Sequence, residues 1–388
     1  MIVENLGNGK LINADNLEAM KAYDDNTFDS CISDFPYDLA FMGRKWDSYE
    51  NFYGWCKDRA EGLYRIIKHG GYVLIFGHHK TNHRMKCAFE DVGFKIVEEI
   101  DWVYGSGFPK NQDVGKLFSK ANNTELSKKW NGWKTAGLKP AKEIITVFQK
   151  PMIGKYTDNI RQFCCGGMNI DSCRVEFSSN DDPRIGKGYK HNAKAGYEIG
   201  KNKDNQSGEK LSLHNELGRF PANIIFDTYM GLELDKQSGT MKSRKGKPRV
   251  ANINNNVRLN NSKQVQVNCE YEGGASRFFL SVDEEFLPFI YCSKPTKKEK
   301  GDYCSHITVK PKKLIKWLIK LVTPKDGLTL DITAGSGTHG LSCEELNREE
   351  GYNLKWVDIE LLNTEKEPYF DIAKKRIGDY TSNKCIKV

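Results

Sequence analysis

A chain of 388 residues, 38% of them hydrophobic, exceeds the usual single-domain size, so one large domain with an insertion, or two domains, is expected. Its net charge of +8 suits a polyanionic partner without requiring one. Eleven cysteines with no Cys-x-x-Cys pair argue for reduced cytosolic thiols and against a disulfide framework or a zinc site, and no apolar window approaches membrane length.

The first predicted strand is Leu11 to Asp15, followed by a short helix around Leu17 to Met20. Phe28 to Ile32 alternates and reads as a buried strand that runs into Ser33-Asp34-Phe35-Pro36-Tyr37. An acid at such a strand end sits over the crevice where α/β sheets bind ligands. With the tyrosine face beside it, the stretch suits a planar substrate that carries an amino group. The loop that follows interleaves aromatics with Arg44, Lys45 and Trp46. That mixture fits either contact with a nucleic-acid backbone or a lid packed on its own domain.

Asn51 to Lys68 has helical spacing, and Gly70-Gly71 is expected to close that helix. The apolar run Tyr72 to Phe76 predicts a strand buried on both faces. His78, His79 and His83 lack an acid or cysteine at ligand spacing, so a polar loop is expected there and no metal. A helix over Arg84 to Gly93, a strand over Ile96 to Tyr104, a helix over Asn111 to Ala121 and a strand over Glu143 to Phe148 continue the alternation of a doubly wound α/β sheet. From about Met152 to Glu285 glycine, asparagine, lysine and serine dominate, with a basic run that includes Arg244, Lys245, Lys247 and Arg249. Either a flexible surface insertion or a basic recognition element explains that texture. Within it, Ile224 to Phe226 reads as a strand returning to the core.

Pro311 to Val322 is the clearest helix, with Leu314, Ile315, Leu318, Ile319 and Val322 on one face. The strand Leu328 to Leu330 then breaks into Asp331-Ile332-Thr333-Ala334-Gly335-Ser336-Gly337, where glycines let backbone approach a ligand closely. A helix over Gly340 to Glu349, a strand over Lys355 to Glu360 and a helix over Phe370 to Ile377 close the chain. The loop has no Walker lysine. Gly335, Gly337 and Gly340 do fit a dinucleotide fingerprint, but an acid-proline-aromatic strand end has no part in hydride transfer.

Taken together, Asp34 to Tyr37 and Asp331 to Gly337 resemble the paired motifs of the amino-group DNA methyltransferases. The base motif precedes the cofactor motif, which is similar to the β-class order. Phe41 to Asp47, Gly105 to Lys110, Leu138 to Ala141, Gly218 to Asn223 and His306 to Pro311 are similar to a phage and prophage branch of that family. The resemblance implies a Rossmann-like methyltransferase fold, circularly permuted, with a basic target-recognition insertion. Residues 1–150 would form the catalytic half, 151–285 the insertion and 286–388 the cofactor half.

It further implies transfer of a methyl group from S-adenosylmethionine to the exocyclic amine of a flipped base in double-stranded DNA. Adenine N6 is preferred over cytosine N4 because the motif opens with Asp. Asp34 and the Phe35 carbonyl would accept the amino protons, Pro36 would hold Phe35 extended, and Tyr37 would stack on the base. Asp331, Thr333, Ala334, Gly335, Ser336 and Gly337 would hold the cofactor, Glu360 its ribose with Asp358 as the alternative, and Thr308 and Lys310 its methionine end. Arg44, Lys45, Trp46, Arg244, Lys245, Lys247 and Arg249 would contact DNA. A stand-alone, cytoplasmic enzyme of a bacterial or phage-infected cell is expected. Phe35 stands where the family has proline, Ile332 where proline is common and Thr333 where phenylalanine is usual. These departures also suit a degenerate member that binds DNA without catalysis.

Overall fold

The computed structural model describes residues 1–40, 43–105, 109, 111–175, 220–226, 228–239, 241–242, 272–273, 275, 279–281 and 309–382. Two compact units emerge: Met1–Asn169 with Asn223–Met230 and Ser281–Val388, and Ile170–Ala222 with Gly231–Leu280. In the second unit the described elements are a 3-10 turn at Asp171–Cys173 and the antiparallel pair β8 (Met241–Lys242) and β9 (Glu272–Gly273), while α7 (Thr228–Ser238) straddles the boundary. The expected recognition residues Arg244, Lys245, Lys247 and Arg249, and Thr308 elsewhere, lie outside the described residues.

The first unit holds the sheet. Its strands are β1 (Ile2–Leu6), β2 (Gly9–Asn13), β3 (Phe28–Asp34), β4 (Ile67–Gly77), β5 (Lys95–Val103), β6 (Lys142–Gln149), β7 (Ile224–Phe226), β11 (Leu328–Asp331) and β12 (Lys355–Glu360). Across the sheet the order is β1-β2-β12-β11-β3-β4-β6-β5-β7, ending at β10 (Leu280–Ser281). β2, β12, β11, β3 and β4 are all parallel, and β6 runs antiparallel between β4 and β5. Counted from β11 and continued through β12 to the N-terminal strands, β2-β12-β11-β3-β4 reads 3-2-1-4-5, the doubly wound order. The chain starts at a different point on that ring, which is the permutation expected from the motif order.

Helices α1 (Asn16–Met20), α2 (Phe52–Ile66) and α3 (Asn82–Val92) share one core with the sheet. Val73 and Ile75, Leu330 and Ile332, and Val357 and Ile359 point into it, while the intervening Leu74 and Phe76 are buried as well. Central strands covered on both faces have no room for polar alternation. Short helices α4 (Val114–Lys120), α5 (Thr124–Lys129) and α6 (Tyr156–Phe163) follow in the loops. α8 (Lys312–Val322) buries the predicted apolar face, and its lysines pair with α9 (Thr338–Glu349), as in Lys312–Glu345 at 2.6 Å and Lys316–Glu349 at 3.1 Å. α10 (Tyr369–Ser382) closes the unit.

Two local expectations are corrected. Gly70 and Gly71 do not end α2; the helix stops at Ile66, and Ile67 already has the extended backbone of β4. Gly70, at φ +83°, instead kinks β4, where its backbone N–H donates to the Lys150 carbonyl and a Cβ would collide with the Asn159 side chain. The N-terminal strand β1, too polar to stand out in the sequence, pairs with β2 as an edge hairpin. Among the described residues no helix is long and apolar enough to cross a membrane.

Candidate active site

The order of the sheet reverses between β11 and β3, which pair in parallel through Thr329–Ser30 and Leu330–Cys31. Parallel sheets open a crevice at such a switch point, beyond the carboxyl ends of the strands. A cleft of about 490 Å³ lies here, lined by Asp34 to Tyr37 from one strand end and by Asp331 to Ser336 from the other. The two stretches are some three hundred residues apart in sequence. Hydrogen bonds tie them directly: Ser33 Oγ donates to Asp331 Oδ1 at 2.7 Å, and Thr333 Oγ1 donates to the Asp34 carbonyl at 3.0 Å.

Phe35 turns its ring away from the cleft's chemistry and into the core. It is 2% exposed, edge-on to Trp55 at 5.2 Å and tilted against Phe89 at 6.2 Å. A ring where proline is usual is thereby housed, and packing supplies the restraint that a pyrrolidine would give. The loop after the motif is clamped by buried Asp47. Its carboxylate accepts the backbone N–H groups of Tyr37 at 2.6 Å, Asp38 at 2.8 Å and Leu39 at 3.2 Å. Thr81 Oγ1 donates to the Tyr37 carbonyl at 2.7 Å.

Asp34 sits in a cluster of charges. Lys310 Nζ donates to Asp34 Oδ2 at 2.5 Å and lies 3.2 Å from Glu143 Oε2. Tyr37 Oη is 3.0 Å from Asp34 Oδ1 and 3.0 Å from Glu143 Oε2. Burial raises the Asp34 carboxyl above the ordinary carboxylate range; Lys310 opposes the shift and Glu143 adds to it. Burial works against the Lys310 ammonium, but the two acids outweigh it and keep it charged. Burial and the same acids push the Tyr37 phenol well up, so it is neutral and can donate.

On the other side, Glu360 ends β12 and reaches under the glycine loop. Its Oε2 accepts the Gly335 N–H at 2.7 Å and its Oε1 the Leu362 N–H at 2.8 Å. Burial raises this carboxyl to about 7, against the pull of those N–H groups. Asp331 is likewise raised to about 7, by burial and by the neighbouring Asp358. Asp358 itself is committed elsewhere, to His339 Nδ1 at 2.6 Å and the Gly340 N–H at 3.0 Å. Gly335 and Gly337 adopt left-handed φ of +54° and +72°. The donor set fits S-adenosylmethionine: two carboxylates for hydroxyl and amino groups, and a backbone loop without Cβ atoms at the turn.

Arg44 and Trp46 are both engaged within the unit, Arg44 with Glu367 at 3.0 Å and Trp46 Nε1 with the same carboxylate at 2.9 Å. Trp46 also lines the cleft, and Lys45 is exposed. The lid description therefore fits Arg44 and Trp46 in this conformation. Among the described residues no group of three or more His, Cys, Asp or Glu is arranged to hold a metal ion. Two residues escaped the sequence reading. Asp47 closes the aromatic-basic stretch Phe41 to Asp47 that resembles the family, but nothing in that stretch signalled a clamping role. Glu143 did carry a signal, as an acid opening an otherwise apolar strand.

The sequence model of the N6/N4 methyltransferases, described as DNA methylase, matches residues 28–375. The type II methyltransferase M.HindIII of Haemophilus influenzae is 23% identical over 201 residues, which are 42% of this chain and 65% of that relative. Among solved structures, PvuII DNA methyltransferase (cytosine-N4-specific) is 14% identical, with 97% of this chain and 93% of that chain covered and a TM-score of 0.47. The M1.HpyAVI–SAM complex is 15% identical, with 95% and 99% covered and a TM-score of 0.40. The family match runs through both strand-end motifs and the sheet between them, and the chain belongs to the DNA methylase family of amino-group (N6-adenine/N4-cytosine) methyltransferases, which depend on S-adenosylmethionine.

Proposed function

We propose that this protein methylates the N6 amino group of adenine at a specific site in double-stranded DNA. The observation that carries the reading is the convergence of Asp34 and the Gly335 loop on one cleft at the switch point of the sheet. An exocyclic amine is a poor nucleophile because its lone pair is delocalised into the ring. Asp34 accepts one amino proton and the Phe35 carbonyl the other, which draws the nitrogen toward tetrahedral geometry and aims its lone pair. Pro36 keeps Phe35 extended. Tyr37 stacks on the base once it is out of the duplex. S-adenosylmethionine, when bound, supplies the methyl group for in-line displacement.

The protein's part is positioning and electrostatics, with no covalent enzyme intermediate. Glu360 takes the ribose hydroxyls with its remaining lone pairs; Asp358, committed to His339, does not. Thr333, Ala334, Gly335, Ser336 and Gly337 form the backbone cradle, Asp331 anchors it, and Lys310 borders the donor end. Lys45 and the basic insertion within residues 151–285 contact the DNA backbone and read the target. Asp at the head of the motif supports adenine over cytosine. Incubation with tritiated methyl donor and unmodified DNA, followed by nucleoside analysis, tests the reading. Label in N6-methyladenine is expected, label in N4-methylcytosine reverses the choice of base, and no label from a folded protein refutes the activity.

A further inference from the structure

Both donors on the Asp34 carboxylate are duplicated on a second acid. Lys310 Nζ reaches Asp34 at 2.5 Å and Glu143 at 3.2 Å, and Tyr37 Oη reaches each of them at 3.0 Å. A phenol has one proton, so Tyr37 serves one acid at a time. Both Asp34 oxygens thus face a donor already present in the cleft, Oδ2 the ammonium and Oδ1 the phenol it shares with Glu143. The expected substrate, a neutral amine, is a weaker donor than an ammonium and would not displace Lys310 unaided. Nor can Lys310 leave for solvent cheaply, since it is 8% exposed and walled by the rings of Tyr37 and Phe76.

We infer that Glu143 is a positioning residue that receives Lys310 and the Tyr37 hydroxyl when the target amine enters, so that Asp34 is released to the base without leaving either donor unpaired. The inference rests on the proposed methyl transfer and deepens it. β6 is built for the task. Glu143 is the second residue of the strand, and its partner across the ladder is Trp102, which also lines the cleft. The remainder of the strand, Ile144 to Gln149, is buried, so the backbone carrying Glu143 is fixed. For Lys310 the short contact to Asp34 at 2.5 Å and the long one to Glu143 at 3.2 Å exchange, while the Tyr37 hydroxyl, 3.0 Å from each acid, turns its one proton to Glu143.

The test is a double-mutant cycle on the full chain, read as single-turnover methyl transfer with cofactor and duplex saturating. Glu143→Gln keeps the shape but weakens the hold on Lys310, which then stays on Asp34; the rate should fall on the order of 10²-fold. Adding Lys310→Met removes the competitor and should recover about tenfold of that loss, a coupling that independent roles would not produce. Glu143→Asp, which keeps the charge on a shorter arm, should retain more rate than Glu143→Gln and provides a second cycle if the glutamine variant does not fold. Thermal unfolding and cofactor calorimetry check each variant for structural damage. A Glu143→Gln rate equal to the parent overturns the inference, as does a double variant no faster than the single one. Absence of label with the unsubstituted protein instead refutes the methyltransferase reading itself, so the two failures are distinct.

Discussion

Cofactor affinity should collapse on mild acidification, and Glu360 fixes how far. In the free protein this carboxyl is raised to about 7 from an ordinary 4.5, chiefly by burial, so near neutrality it is half protonated. Ribose hydroxyls donate to the ionised form, which is therefore the form that binds. If binding restores the ordinary value, the affinity is full above about pH 8 and falls as pH drops through 7, because protonation removes the acceptor. At about pH 5.5 the dissociation constant should be about 30-fold weaker than at about pH 8, or about 2 kcal/mol. Near pH 6, binding should release close to one proton.

Isothermal titration calorimetry in buffers of differing ionisation enthalpy measures both quantities. Glu360→Gln should bind weakly and make the profile shallower, and the difference between the two proteins cancels the titration of the ligand and of Asp331, which is also raised to about 7. An affinity for the unsubstituted protein that is level from about pH 5.5 to 8, with no proton released, would refute the assignment of Glu360 to the ribose.

Asp34→Ala should reduce methyl transfer by at least about 10³-fold while duplex binding, measured by fluorescence anisotropy, stays within about threefold. Phe35→Ala removes a ring that packs on Trp55 and Phe89, so a loss of about 3–5 kcal/mol is expected in denaturant unfolding. Phe35→Pro empties the same site, and it should destabilise the protein even though it restores the family's usual residue. Gly337→Ala combines a left-handed φ of +72° with a Cβ only 2.9 Å from Ala373; a lower melting temperature and weaker cofactor binding are expected in the same protein.

Much of the architecture was legible in residue patterns. The apolar run Tyr72 to Phe76, the amphipathic face of Leu314 to Val322 and the strand that breaks at Asp331 all signal their structure through neighbours a few residues away, which is the range over which periodicity acts. The Gly70-Gly71 expectation failed because a glycine pair after a helical pattern looks the same whether it caps the helix or kinks the strand that follows. β1 was missed because an edge strand needs little apolar content. The site was half legible. Asp34, Tyr37 and the glycine loop were visible as strand ends with chemistry attached, whereas Glu143 and Asp47 act only through partners distant in sequence or hidden in a loop.

The sequence by itself determined most strands and helices around the site, where the acid and the glycine loop fall on them, and in which order they occur. Only the tertiary structure decided that β3 lies beside β11, that the Phe35 ring leaves the cleft for the core, that Glu360 rather than Asp358 faces the loop, and that one lysine is shared by two acids. Local conformation is set by contacts a few residues apart. Pairings between residues three hundred positions apart depend on strand order and register, which no short stretch of the chain encodes.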